Sequence, residues 1–92
     1  MSGLGAVPRR REDILAQDAK GQTVLLRPED GGYYALREVG ARVWELCDGE
    51  RSVGDIVAAV CAEFDAPVEQ VEADVLEFVG ELRSERLLVA TA

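Results

Sequence analysis

The sequence predicts an α+β fold in which a three-stranded antiparallel sheet precedes three helices. Three observations lead there. Up to Leu36 the apolar residues come in short β-branched or aromatic runs, and from Val39 onward they recur about every 3.6 residues. Turn chemistry separates the early runs at Lys20-Gly21 and at Pro28-Glu29-Asp30-Gly31-Gly32. With 92 residues there is room for one domain, and a 48% hydrophobic composition is too apolar for a disordered chain.

Residues 1–12 hold small residues, one proline and the run Arg9-Arg10-Arg11 without apolar periodicity, so they are expected to form a flexible arm ahead of a single domain over 13–92. The arginines could grip an acidic partner; a solvated tail is the simpler reading of so short a run. A weakly patterned strand follows at Ile14–Gln17, then a β-branched strand at Gln22–Arg27. Pro28 fixes its own φ, and Gly31-Gly32 supply the positive φ that a tight reversal needs, so Tyr33–Leu36 should return as the third strand of a meander.

Val39, Val43, Trp44, Leu46 and Cys47 make one helical stripe that ends at Asp48-Gly49. Ser52 with Asp55 three residues on is a short capping box for a second helix, whose stripe is Val53, Ile56, Val57, Val60 and Phe64. Asp65-Ala66-Pro67 breaks that helix, and Pro67 suits the first turn of a third, with Val68, Val71, Val75, Phe78, Val79 and Leu82 on one face up to about Arg83. Leu87-Leu88-Val89 closes the chain as an extended segment expected to pack on the sheet. Three strands, three helices and a tail in this order suggest a winged helix-turn-helix.

Several function classes are disfavoured. The chain has no histidine, the usual base for activating serine or cysteine, and its two cysteines lack CxxC spacing, so neither a nucleophilic centre nor a zinc site is expected. Cys47 and Cys61 read as buried small hydrophobes. The eighteen acidic residues fall at solvent-face spacings, Gly31-Gly32 lacks any phosphate-loop pattern, and no enzyme activity or cofactor is expected. No run approaches the ~18 apolar residues of a membrane span, and the opening MSGLGAVPRRRED has no continuous apolar core, so a cytoplasmic protein is expected.

Nucleic acid is opposed by charge. The chain carries a net charge of −8, and its third helix, the would-be recognition helix, bears Glu69, Glu72, Asp74, Glu77 and Glu81, with Glu85 just beyond, against Arg83 and Arg86. A DNA-binding regulator or a general interaction module is nevertheless the alternative reading of such a fold.

A meander leaves unpaired edges, and an edge is a row of free N–H and C=O groups that an extended peptide can join. If Tyr33–Leu36 is that edge, alternation puts Tyr33 and Ala35 on one face and Tyr34 and Leu36 on the other, without saying which faces a ligand. The plainer alternative is that both tyrosines and Trp44 only cap a small core.

The run VLLRPEDGGYYALREVGARVWELCDGERSVGDIVAAV, followed by EADVLEFVGELRSERLL, resembles the PqqD-like family of peptide-binding proteins, or RiPP recognition elements. The likeness spans about Thr23 to Val89. It rests on Gly32-Tyr33-Tyr34-x-Leu36, Trp44-Glu45-Leu46, Asp48-Gly49-x-x-Ser52-Val53 and Asp74-Val75-x-x-Phe78 taken in order. The resemblance implies a winged helix-turn-helix that binds the leader segment of a ribosomally made precursor peptide and presents it to a modifying enzyme, such as a radical SAM enzyme or a leader peptidase. Pyrroloquinoline quinone and lasso-peptide synthesis are the settings it suggests.

In that family the leader adds as a strand to the third strand and packs beside the third helix. Carried over, Tyr33, Tyr34, Ala35 and Leu36 would supply the backbone edge, and Val71, Asp74, Val75, Phe78 and Glu81 the cleft wall. The aromatics of the junction would stiffen the edge and line its pocket. The chain departs from the family at Arg37, where asparagine is usual, and arginine cannot accept an N–H at the start of a helix.

Overall fold

A computed structural model describes residues 3–89. After a single 3₁₀ turn at Gly3–Gly5 come the strands β1 (Leu15–Ala19), β2 (Gln22–Leu26) and β3 (Tyr33–Arg37), then the helices α1 (Glu38–Leu46), α2 (Val53–Phe64) and α3 (Val68–Ser84). The sheet has the order β1-β2-β3 and is antiparallel throughout. The expected α+β fold, a three-stranded sheet followed by three helices, is the one formed.

Each reversal follows from its residues. Arg27 and Gly31-Gly32 close the second turn, with Arg27 N–H on the Gly32 carbonyl at 2.8 Å and Gly31 at φ 72°, a conformation that favours glycine. Register pairs Leu25 with Tyr34 and Thr23 with Leu36, so alternation turns Tyr34 and Leu36 to the same face as Leu25. Leu25 and Leu36 are fully buried against the helices, and Tyr33 and Ala35 look outward.

The core joins those sheet residues to Val43, Trp44 and Leu46 of α1, Val53, Ile56, Val57 and Val60 of α2, and Val71, Val75, Val79 and Leu82 of α3. The capping box of α2 forms as expected: Ser52 Oγ accepts from the Asp55 N–H and the Asp55 carboxylate accepts from the Ser52 N–H. The α1 start has no side-chain cap at Arg37, and Glu38 sits at φ 42°, a left-handed conformation costly for a residue with a Cβ. Two expected stripe residues are exposed, Phe64 and Val68. They flank the α2–α3 break.

The described part of the segment expected to be a flexible arm, residues 3–12, lies along the body instead. Arg10 N–H donates to the Cys47 carbonyl, Gly49 N–H to Pro8, Arg11 N–H to Leu87 and Val89 N–H to the Arg9 carbonyl. The segment thus runs between the α1–α2 loop and the C-terminal tail, so the backbone of Leu87–Val89 pairs with it while Leu87 and Leu88 are buried in the core. Two of the three arginines find partners on distant elements, Arg10 on α1 and Arg11 at Glu29, whereas the Arg9 pair is local and exposed. Arg9 pairs with Glu12, Arg11 with Asp13 and Glu29, and Arg10 donates to the Trp44 and Glu45 carbonyls at the C-terminal end of α1. A cation there complements the negative end of the helix.

The two thiols differ. Cys47 is buried beneath this segment, and burial pushes its thiol up to about 12; Cys61 is half-buried. Because only the thiolate reacts readily, a maleimide at neutral pH should label Cys61 in the folded protein and spare Cys47 until denaturant is added. Mass spectrometry of the labelled peptides checks this, and equal labelling of both would contradict the packing of residues 8–11.

Candidate functional site

β3 is the last strand in the order β1-β2-β3, so one of its edges has no partner strand among the described residues. Arg27 and Gly32 form a hydrogen-bonded level of the β2–β3 ladder, and alternation makes Tyr34 and Leu36 the next such levels. The N–H and C=O groups of Tyr33, Ala35 and Arg37 therefore point away from β2, toward the open edge.

Two separate hollows walled by α3 make up a cleft beside β3 and the β3–α1 junction. Its first stretch, about 550 Å³, is lined by Tyr34, Glu77, Gly80, Glu81, Ser84 and Glu85. Its second, a hollow of about 220 Å³, is lined by Val39, Gly40 and Val43 of α1 and by Asp74, Val75 and Phe78 of α3. The cleft is thus carboxylate-rich beside Tyr34 and apolar beside the β3–α1 junction.

The residues expected at the site divide into three groups. Tyr33, 77% exposed, and Ala35 stand on the outer face of the sheet and contribute backbone to the edge. Tyr34, Asp74, Val75, Phe78 and Glu81 line the cleft, the half-buried Phe78 forming its apolar wall. Leu36 and Val71 are buried in the core, with Leu36 adjoining the hollow through its contact region with Gly40. Asp74 on the rim accepts from Gln70 Nε2 at 3.0 and 3.1 Å.

Trp44 is not in this cleft. It lies on the other side of α1, where the Arg10 guanidinium sits 5.9 Å from its ring centroid and Ile14 and Ala16 share its surroundings. Only one of the three junction aromatics, Tyr34, lines the cleft. The α1 floor, Val39, Gly40 and Val43, and the rim residues Glu77, Gly80, Ser84 and Glu85 were missed by sequence reasoning. Spacings of four along α3 (77, 81, 85 and 80, 84) would have grouped the rim residues on one flank. The α1 floor carries no comparable signal, since its use depends on where α3 crosses.

Tyr34 fixes the middle of the cleft. Its hydroxyl donates to Glu81 Oε2 at 2.8 Å, and burial together with the Glu81 and Glu85 carboxylates holds its phenol above the ordinary tyrosine range. A phenol whose folded-state value is raised favours folding fully below its unfolded value and loses that contribution as pH rises past about 10. Urea midpoints measured from pH 8 to 11 should therefore fall at the alkaline end, and Tyr34→Phe should flatten that fall. An unchanged alkaline slope in the variant would remove Tyr34 as its source.

Three comparisons bear on what such an edge and cleft do. The family described as Coenzyme PQQ synthesis protein D (PqqD) matches residues 22–88. A protein of Rhizobium meliloti described as a PqqA binding protein is 39% identical over 89 residues, covering 96% of this chain and 89% of its own. Another so described, from Xanthomonas axonopodis pv. citri, is 43% identical over 92 residues, covering 96% and 98%. Among solved structures, TbiB1 in complex with the TbiA(beta) leader peptide superposes with a TM-score of 0.79 at 30% identity, covering 91% of this chain and 98% of that one. The PqqD truncation of Methylobacterium extorquens PqqCD, described as a stand-alone RiPP recognition element, superposes with a TM-score of 0.76 at 28% identity, covering 94% and 93%.

Proposed function

The chain belongs to the coenzyme PQQ synthesis protein D (PqqD) family, and from that premise we propose that it binds the leader segment of a ribosomally made precursor peptide by strand addition to β3 and presents it to a modifying enzyme. The observation that carries this reading is the open β3 edge lying directly against a cleft walled by α3. Backbone groups of Tyr33, Ala35 and Arg37 offer affinity that any extended peptide could use, and the cleft beside them reads alternate side chains of the added strand. The superposition on a structure that holds a leader peptide supports the same assignment.

PqqA is the precursor that fits best, because two relatives described as PqqA binding proteins align over 96% of this chain. A PqqA-type peptide bound in this way lies extended on the sheet, and a radical SAM enzyme of pyrroloquinoline quinone synthesis is the partner that would receive it. The protein's part in this scheme is recognition and delivery; its own side chains perform no bond-making step.

The test is a titration of isotope-labelled protein with synthetic PqqA of Rhizobium meliloti, followed by backbone amide shifts. Saturable shifts centred on Tyr33–Arg37 and on the cleft face of α3 are expected. Saturable shifts confined to β1 or to the outer face of the sheet would overturn strand addition at β3, and no shifts at all would overturn leader recognition.

A further inference from the structure

Arg27 follows the last residue of β2 and reaches a distant helix. Its side chain is 15% exposed despite its charge, and an arginine is seldom so covered unless its donors are paired. Nε donates to Asp30 Oδ1 at 3.0 Å, and Nη1 donates to the Glu85 carbonyl and to Glu85 Oε2 at 3.1 Å. Asp30 in turn accepts from the Gly32 N–H at 2.9 Å and from Arg86 Nη2 at 3.2 Å. The guanidinium thus joins the β2–β3 turn to the residue that ends α3, where carbonyls lack intrahelical donors and carry the negative end of the helix.

Gly32 makes room for that reach. A Cβ built at Gly32 would overlap Arg27 Nη2 and meet Cζ at 2.8 Å and Nε at 3.1 Å, so its three nearest atoms all belong to Arg27. Gly32 is not among the glycines at positive φ, so its backbone does not itself call for glycine. What the position needs is the absence of a side chain. A methyl group there would push the guanidinium from its seat.

The bridge spans one end of the cleft. Gly32 immediately precedes β3, and Glu85 lines the stretch beside Tyr34 together with Glu77 and Glu81. Arg27 therefore touches both walls, at the entry to the docking strand and at the C-terminal end of α3. Further along, the Tyr34 hydroxyl ties the same two walls through Glu81 at 2.8 Å. Glu77, Glu81 and Glu85 follow one another at spacings of four, where like charges repel, and Arg27 offsets the last of them.

We propose that Arg27, seated over Gly32, is a positioning residue for peptide recognition: it ties the start of β3 to the C-terminal end of α3 and so sets the separation of the two walls that hold the precursor peptide. This inference rests on the strand-addition reading above and adds what keeps the cleft at the width that reading needs. It also gives the glycine ahead of Tyr33 a role that its φ does not supply.

The experiment measures binding of synthetic Rhizobium meliloti PqqA by isothermal titration, with Tm recorded, for wild type, Arg27→Gln, Arg27→Lys, Gly32→Ala and the double variant Arg27→Gln/Gly32→Ala. Arg27→Gln and Gly32→Ala should each weaken binding about fivefold, and the double variant should be no weaker than either, because both changes remove one bridge. Arg27→Lys should bind as weakly as Arg27→Gln, since an ammonium lacks the fork that reaches Asp30 and Glu85 together. In the free protein the amide shifts of Tyr34, Gly80 and Glu81 should move alike in Arg27→Gln and Gly32→Ala.

Wild-type affinity in folded Arg27→Gln and Gly32→Ala would overturn the positioning role and leave leader recognition standing. A loss in Arg27→Gln with wild-type affinity in Gly32→Ala or Arg27→Lys would overturn it too, since charge would then matter without the seat or the fork. Losses that multiply in the double variant would show two separate effects in place of one bridge. A lowered Tm with unchanged affinity of the folded protein would reduce the bridge to a stability element. Absence of saturable binding by wild type would overturn the reading on which the positioning role depends, and the role with it.

Discussion

Ala35→Pro is expected to weaken precursor-peptide binding by about tenfold or more while leaving the fold in place. The ladder alternation turns the Ala35 N–H to the open edge, so proline removes a donor that β2 does not use. One net hydrogen bond is worth roughly 0.5–1.5 kcal/mol, and ~1.4 kcal/mol is a factor of ten in affinity; the proline ring in the path of the added strand increases the loss. Edge strands tolerate proline, and Ala35 is exposed, so its own side chain leaves no cavity behind. Circular dichroism should show unchanged helix content. Wild-type affinity in a folded Ala35→Pro variant would exclude pairing along β3 at this level. Thr23→Pro on β2, at a hydrogen-bonded level of the ladder opposite Leu36, is the contrasting control and should cost the fold itself.

Trp44→Ala is expected to produce the largest loss of stability with little effect on the affinity of the folded protein. Trp44 is 5% exposed, packs in the core, and carries the Arg10 guanidinium over its ring. Truncating a buried aromatic costs about 3–5 kcal/mol. A domain of this size has a total stability of about 5–14 kcal/mol, and each kcal/mol moves Tm by about 4–8 °C, so a fall in Tm on the order of 20 °C should be read by thermal denaturation. The residue lies away from the cleft, on the side of α1 where residues 8–11 pass, so peptide affinity measured well below the new Tm should stay near wild type. A large affinity loss at full folding would mean that α1 transmits packing changes to the Gly40 end. Arg10→Gln separates the ring's burial from its cation and should reproduce only a small part of the effect.

The order of elements was legible because it depends on local rules. Strand alternation, the switch to helical spacing at Val39, the Ser52-Asp55 box and the break at Pro67 each concern a few neighbouring residues. The open strand edge was legible for the same reason: once Tyr33–Leu36 is the last strand of a meander, one of its sides has no partner strand among the described residues. The expected set at the site was partly mixed. Val71 shares the helical stripe with residues that line the cleft but lies in the core, since a stripe shows which face is apolar and not which part of that face the neighbouring elements cover. Phe64 and Val68 show the converse, being stripe residues left uncovered at the ends of their helices.

By itself the sequence determined the α+β class, the positions of six elements, the lack of histidine chemistry and a strand edge suited to a peptide. The tertiary structure alone decided that Tyr34 turns inward to Glu81 and Tyr33 outward, that residues 8–11 are held between the α1–α2 loop and the tail, and that α1 supplies a floor at Gly40. The division has one physical cause. Periodicity and capping are fixed by backbone geometry over a few residues, whereas the inward face of a strand, the partners of an arm's N–H groups and the space above a glycine depend on segments distant in the chain that meet only when the core closes.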